Sequence, residues 1–349
     1  MIPYIHLPDA NLGQWLHLPG KFAELSIHPF GVMVALGVTI GVSLATKRTR
    51  ERGLDVAELN SFLGWILAIG FLGGHMLDEI FYHPSEVVAR PWSLLFLWEG
   101  LSSFGGFTGA LIGAMFWKFL KSAPPLVLGP FSIPRWTRRE HAASILPWAD
   151  LILSIFPVAW IFGRGGCSVV HDHKGGIAPA GAWYAVSYPM NEGGFTRHGW
   201  LMDGETVKRI GPEGFEAALV HGLEPRFDLG LLEWGFTVAL ALVFALTWHK
   251  KLPAGFYIVA TSLTYAPARF VMDYFRLEEG QGNTGDMRYG KFTPAQWECF
   301  ALFALGLVVW WICARMAKRG VDPYEEFVAP PDSLQQPPSR SIPPTVESR

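Results

Sequence analysis

Three arginines lie in or at the edge of long apolar stretches of this sequence, each with an acid or a histidine a few residues away. Arg164 follows Gly163 and is succeeded by Cys167 and the run His171-Asp172-His173. Tyr265, Arg269 and Asp273 recur at four-residue steps, which sets them on one face of a helix, with Arg276 just beyond. Glu233 stands about one turn inside a segment that starts beside Asp228, and Gln296 opens the last apolar segment. An earlier segment carries His75, Asp78 and Glu79, again on a shared face. The chemistry open to these types is limited. A guanidinium donates two parallel hydrogen bonds, which suits the oxygens of a phosphate. A carboxylate beside it sets its orientation, and a histidine can accept a proton. An ion-paired structural network, Arg269 with Asp273 for example, explains any single pair equally well. It explains the whole set less well.

Composition says what must position these groups. Of 349 residues, 50% are hydrophobic and only 17% charged, against about 25% charged in a typical soluble domain. The apolar residues come in blocks of roughly twenty, the length that crosses a bilayer. Seven spans are expected: Pro29–Thr46, Ser61–Tyr82, Leu101–Leu120, Ala143–Gly163, Leu229–Trp248, Pro253–Phe275 and Ala295–Ala314. Basic residues fix the direction. The clusters Lys47 to Arg52, Lys118 to Arg139, Lys250-Lys251 and Arg315 to Arg319 fall on one side if the spans number seven. The reading is therefore an all-α membrane protein with its N-terminus outside and its C-terminus in the cytoplasm. No basic n-region precedes the first span, so no cleaved signal peptide is expected. A net charge of −2 gives no reason to expect nucleic acid, and 3 cysteines make no disulfide framework.

Residues 1–28 read as an interfacial segment, with Trp15, Leu16, Phe22 and Leu25 available to the headgroups. Residues 29–163 hold the first four spans and 229–319 the last three. The connection 164–228 is too long for a simple loop and reads as a small external subdomain. Within it, Trp183 to Tyr188 suggests a strand, and Trp200–Ile210 a hairpin turning at Asp203-Gly204. The segment 320–349 is rich in Pro and Ser and is expected to be disordered. Gly37 with Gly41, and Gly105, Gly109 and Gly113, have the spacing that lets helix backbones approach closely in lipid.

On this threading, five spans place their polar groups at a similar depth in the outer half of the bilayer. An ionisable group there costs about 2.5 kcal/mol or more, so a shared purpose is expected: a polar cavity level with the headgroups. Asp150, near the inner end of span four, is the exception and is assigned no role.

These pieces resemble the prolipoprotein diacylglyceryl transferase family, from about His28 to Trp297. They are His28-Pro29-Phe30-Gly31, Trp98-Glu99-Gly100 leading to Gly105-Gly106, and Gly163-Arg164 with Gly166 and Gly175. Pro225-Arg226 with Glu233, the helix from Tyr265 through Arg269-Phe270 to Asp273 and Phe275-Arg276, and Gln296 complete the set. The resemblance implies transfer of a diacylglyceryl group from phosphatidylglycerol to the lipobox cysteine of a prolipoprotein signal peptide, in the bacterial inner membrane. It implies neither cofactor nor metal. Arg164 and Arg269 would hold the phosphate, Glu233 and Asp273 would orient them, and Tyr265 and Gln296 would line the lipid pocket with Gly105, Gly106 and Arg276. Departures accompany the matches. Phe104 stands where the family has a histidine, Phe30 for its tyrosine, Cys167 for its asparagine, Asp172 for its glutamate and His75 for an arginine. Phenylalanine takes no proton, so His75 or His171, beside Asp172, is the expected replacement base. Ligation of a metal by His171 and His173 around Asp172 is a weaker reading, because the pair lacks helical i,i+4 spacing. A paralogue acting on another lipid or thiol, or a non-catalytic lipid-binding protein, are the alternatives.

Overall fold

The computed structural model describes the chain except residues 6, 8–9, 18, 21–24, 97–99, 129–130, 190–199, 204–205, 210–222, 278–286 and 322–349. Phe22, Trp98-Glu99 and nearly all of the expected disordered tail lie outside the described residues.

Ten helices are described: α1 Leu12–Trp15, α2 Pro29–Glu51, α3 Val56–Tyr82, α4 Pro84–Ala89, α5 Ser103–Phe119, α6 Leu146–Leu153, α7 Phe156–Val170, α8 Leu229–Leu246, α9 Phe256–Met272 and α10 Pro294–Lys318. Four of them (α2, α3, α8 and α10) are individually long and apolar enough to cross a membrane. The pair α6 and α7, bent by 51°, makes a fifth span if taken together. The bend falls where Pro157 withholds the N–H that would continue the ladder. Helices α5 and α9 have 17 residues each, about 25 Å at 1.5 Å per residue, and α9 runs on into the 3-10 turn Asp273–Phe275. Each expected span overlaps a helix or the bent pair, and by length and composition four helices and that pair qualify as crossings. Large apolar side chains such as Leu242, Leu246, Trp310 and Trp311 are exposed on α8 and α10, as a lipid-facing surface requires. The chain is a multi-pass α-helical membrane protein.

The glycines do the close work expected of them. Along α5, Gly105, Gly109 and Gly113 lie against the backbone of Gly73, Ile69 and Trp65 on α3. A Cβ at Gly113 would sit 2.5 Å from the Trp65 carbonyl oxygen. Gly37 on α2 meets α7 in the same way, its Cβ position 2.7 Å from Ala159 O. These contacts make two helix pairs, α3 with α5 and α2 with α7, that touch backbone to backbone.

At the end of the bundle that bears Arg48, a core of Leu59, Phe62, Trp117, Trp148 and Leu151 is buried. Asp150 lies there and has a definite task. Its Oδ1 accepts from the N–H of Tyr257 at 2.8 Å and of Ile258 at 3.2 Å, capping α9 from another helix. Burial at 2% exposure gives a role to a residue that the sequence left without one. Asp150→Ala is expected to cost about 1–2 kcal/mol, read as a lowered thermal midpoint in detergent.

Strands occupy the connections. β1 (Ala10–Asn11) pairs with β2 (Ser26–Ile27), and β3 (Leu120–Leu128) with β4 (Phe131–Arg138), which carries part of the basic cluster. Between α7 and α8, β5 (Lys174–Ile177) and β6 (Val186–Pro189) flank β9 (Leu223–Asp228) in an antiparallel sheet, and β7 (Trp200–Asp203) pairs with β8 (Thr206–Arg209). The β7–β8 hairpin falls where the sequence placed it. The strand expected from Trp183 begins only at Val186, because Ala182 and Ala185 are engaged in turns. The N-terminus joins this subdomain: Ile2 bridges Val186. Tyr4 is buried. Trp15, Leu16 and Leu25 stay exposed.

Candidate active site

Glu233 is the centre of the buried polar cluster. Gly230, a turn earlier on α8, lies against Cys167 and Ser168 with room for nothing larger, a Cβ there being 3.0 Å from Ser168 N. That contact draws α8 onto α7 and sets Glu233 beside Arg164. Arg164 Nε lies 2.8 Å from Glu233 Oε1, and Arg269 Nε, from α9, lies 3.6 Å from Oε2. Tyr265 donates its hydroxyl to the same carboxylate, and Trp160 Nε1 donates to it at 3.2 Å. One carboxylate therefore gathers side chains from two other helices. Arg164, Glu233 and Arg269 are all buried, a position charged groups hold only when paired.

A second carboxylate extends the cluster. Arg269 Nη1 is 3.0 Å from Asp273 Oδ1, and Arg276 Nε approaches the same oxygen at 2.8 Å. Thr293 donates its hydroxyl to the other oxygen. Thr293 and Gln296 form a capping box that starts α10, and Gln296 Nε2 also donates to Phe270 O at 3.3 Å. The Arg164 guanidinium stacks over the Trp160 ring at 4.9 Å. Phe107, on α5, adjoins both Trp160 and Tyr265. The result is an apolar wall beside two arginines. Each guanidinium has five N–H donors and accepts nothing, so sharing Glu233 leaves donors over for an anion.

The expected site residues divide. Arg164, Arg269, Glu233, Asp273, Tyr265, Arg276 and Gln296 come together as described. Asp172 joins them from beyond α7: its Oδ1 is 2.6 Å from His173 Nδ1, whose ring places Nε2 3.4 Å from Arg164 Nη1. Gly105 and Gly106 behave differently from each other. Gly105 is pressed against Gly73, whereas a Cβ on Gly106 meets nothing within 4 Å.

His75 and His171 bond elsewhere. His75 has its Nδ1 3.2 Å from Gly100 O and its Nε2 3.2 Å from Ser93 O, pinning the segment after α3. Fully buried, it turns both nitrogens to carbonyls. His171 ends α7 in a left-handed conformation at φ 53°. Its Nδ1 meets Asp228 Oδ2 at 2.7 Å and its Nε2 meets Ile5 O at 3.0 Å, while its ring stacks on Tyr4. Tyr188 donates to Asp228 at 2.9 Å. Burial and then Asp228 push the phenol pKa of Tyr4 and Tyr188 well up, so both remain donors. This group fastens the N-terminus to the sheet. Sequence reasoning did not single out Trp160 or Thr293, and it used Asp228 only to mark the start of a segment. Thr293 had a readable signal, the Thr-x-x-Gln spacing of a capping box, and Asp228 had the N-cap signal of an acid just before an apolar run.

Cys167, Asp172 and His173 hold donor atoms within 4.8 Å of one another, close enough for a metal. Arg164 Nη1 is 3.9 Å from Cys167 Sγ as well as 3.4 Å from His173 Nε2. A cation bound there would face a fixed positive charge. Treatment with a strong chelator is expected to leave activity unchanged, measured as product formed before and after.

Helices long and apolar enough for a bilayer, with a buried, arginine-rich polar cluster between them, define an integral membrane protein equipped to engage an anion. The family model described as prolipoprotein diacylglyceryl transferase matches residues 20–312. The chain belongs to that family. Relatives named phosphatidylglycerol–prolipoprotein diacylglyceryl transferase align along most of their length. The one from Symbiobacterium thermophilum is 24% identical, covering 86% of this chain and 94% of its own. That from Janthinobacterium sp. (strain Marseille) is also 24% identical, over 86% and 98%. One from Neisseria gonorrhoeae is 26% identical, over 81% and 92%.

Proposed function

We propose that this protein transfers a diacylglyceryl group from phosphatidylglycerol to the lipobox cysteine thiol of a prolipoprotein in the bacterial inner membrane, releasing glycerol phosphate. The observation that carries the reading is the convergence of Arg164 and Arg269 on Glu233. On this reading the chain crosses seven times, with the N-terminus outside, and the cluster lies near the outer headgroups. The phosphate of the donor binds across the two guanidinium groups. As the bond between glyceryl carbon and phosphate oxygen breaks, charge grows on that oxygen, and fixed donors in a dry site stabilise it without reorganising. Glu233 and Asp273 hold the two forks in place before the lipid arrives. Tyr265, Phe107 and Trp160 face the apolar part of the donor, with Gln296 behind them at the start of α10 and Arg276 beside Asp273. The acceptor signal peptide, itself apolar, reaches the site from the lipid.

Purified protein in phosphatidylglycerol vesicles with a lipobox-cysteine peptide tests this. A thioether-linked diacylglyceryl peptide by mass spectrometry is the expected product. The same gene should rescue a bacterium depleted of its own transferase. Correct membrane insertion with neither product nor rescue would transfer the site to another lipid or thiol.

A further inference from the structure

The run His171-Asp172-His173 contains two histidines with opposite fates. Because His171 adopts the left-handed conformation at the end of α7, the next two residues fold back toward the helix they have just left. The backbone there is fixed: Leu229 N donates to His173 O at 3.1 Å, and Lys174 pairs with Asp228. His171 is thereby spent on Asp228 and Ile5, while His173 is returned to Arg164.

The partners of His173 determine its proton. A guanidinium can only donate, so the Nε2 facing Arg164 carries the lone pair. The hydrogen must then be on Nδ1, which donates to Asp172 at 2.6 Å. A carboxylate behind one nitrogen and a lone pair on the other is the arrangement a general base needs. Burial works against charge on Asp172, but the His173 ring, then Arg164 and Arg276, outweigh it and hold the carboxyl below the usual range. The two side chains are 24% and 25% exposed, so a proton taken from inside can leave to water. Cys167 on α7 also lies near the ring, while Lys174, next in sequence, turns to Glu224 at 3.9 Å.

We propose that His173, held by Asp172, is the proton acceptor for the incoming thiol, at the position where Arg164 meets the donor phosphate. This rests on the function proposed above and supplies the base that Phe104 cannot. The thiol S–H bond breaks and its proton passes to Nε2. The sulfur pair forms a bond to the glyceryl carbon, and the carbon–oxygen bond breaks with its electrons going to the departing phosphate oxygen. The imidazolium returns its proton to that phosphate or to water. Until a phosphate takes up the Nη1 donors of Arg164, whose Nε stays on Glu233, Nε2 is occupied by the guanidinium. Donor binding therefore exposes the base, and the thiol is activated only when a lipid is present.

The test compares wild type, His173→Gln and Asp172→Asn in phosphatidylglycerol vesicles across pH. At pH 7 His173→Gln should lose about 100-fold or more in kcat, with KM for the lipid within about threefold of wild type. Wild type should lose rate on acidification. The variant's deficit should shrink as pH rises toward about 8.5, where a free thiol ionises unaided. Asp172→Asn should show a smaller loss with the same trend, and it serves if the glutamine variant fails to fold. A His173→Gln protein within threefold of wild type, with an unchanged pH profile, overturns the proposal. If wild type transfers nothing, the function reading falls and 15N spectra of the histidine rings, assigned by the missing His173 signal, decide separately. A ring protonated on Nδ1 supports the inference, and one protonated on Nε2 overturns it.

Discussion

Arg164→Lys should lower the rate of transfer from phosphatidylglycerol by about 10²–10³-fold while the protein still folds. Lysine keeps the charge next to Glu233 but loses the planar fork. One ammonium cannot keep the Glu233 carboxylate and at the same time turn further donors to a phosphate, as a guanidinium can with Nε on the carboxylate and its terminal nitrogens directed elsewhere. The measurement is initial rate in phosphatidylglycerol vesicles beside a thermal midpoint in detergent. Undiminished activity would remove Arg164 from phosphate binding. Arg164→Leu should behave differently, costing about 3–5 kcal/mol in stability as well, because it strips Glu233 of a partner where both are buried. The separation between the two variants distinguishes recognition from mere charge balance.

Gly109→Val should leave almost no folded protein in the membrane. Its branched side chain would be driven into the backbone of Ile69 and Gly70 on α3, and neither helix can give way without parting from the other. Gly106→Ala, three residues away on the same helix, should insert and melt like wild type, since its methyl group meets open space. Protease-resistant protein recovered from membranes separates the two outcomes. A well-folded Gly109→Val protein would mean that α3 and α5 are not in backbone contact.

The arginine cluster was legible because its cost was legible. Arg269 and Asp273 at i,i+4 in an apolar segment, Glu233 in another and Arg164 at the end of a third have no inexpensive explanation apart, and the structure joins all four. The helix pairs were legible from glycine spacing for a similar reason: nothing else lets backbones touch. What spacing could not convey was direction beyond a helix end. His171 and His173 look interchangeable in the sequence, and a single left-handed residue sends one to the N-terminal segment and the other to Arg164. His75 was misleading in another way. A histidine deep in an apolar span reads as chemistry, yet its two nitrogens face carbonyls 18 and 25 residues later rather than the arginine cluster. Asp150 had the same defect, since the helix it caps starts more than a hundred residues downstream. Long-range hydrogen bonds of this kind leave no periodic trace.

Glu233 has a consequence for anyone wishing to retarget the protein. A single acid ties α7, α8 and α9 together, so redesign at the centre would trade selectivity against whether the chain assembles at all. Variation is better placed on Phe107, which adjoins Trp160 and Tyr265 from α5 and makes no bond to the acid that fastens the three helices.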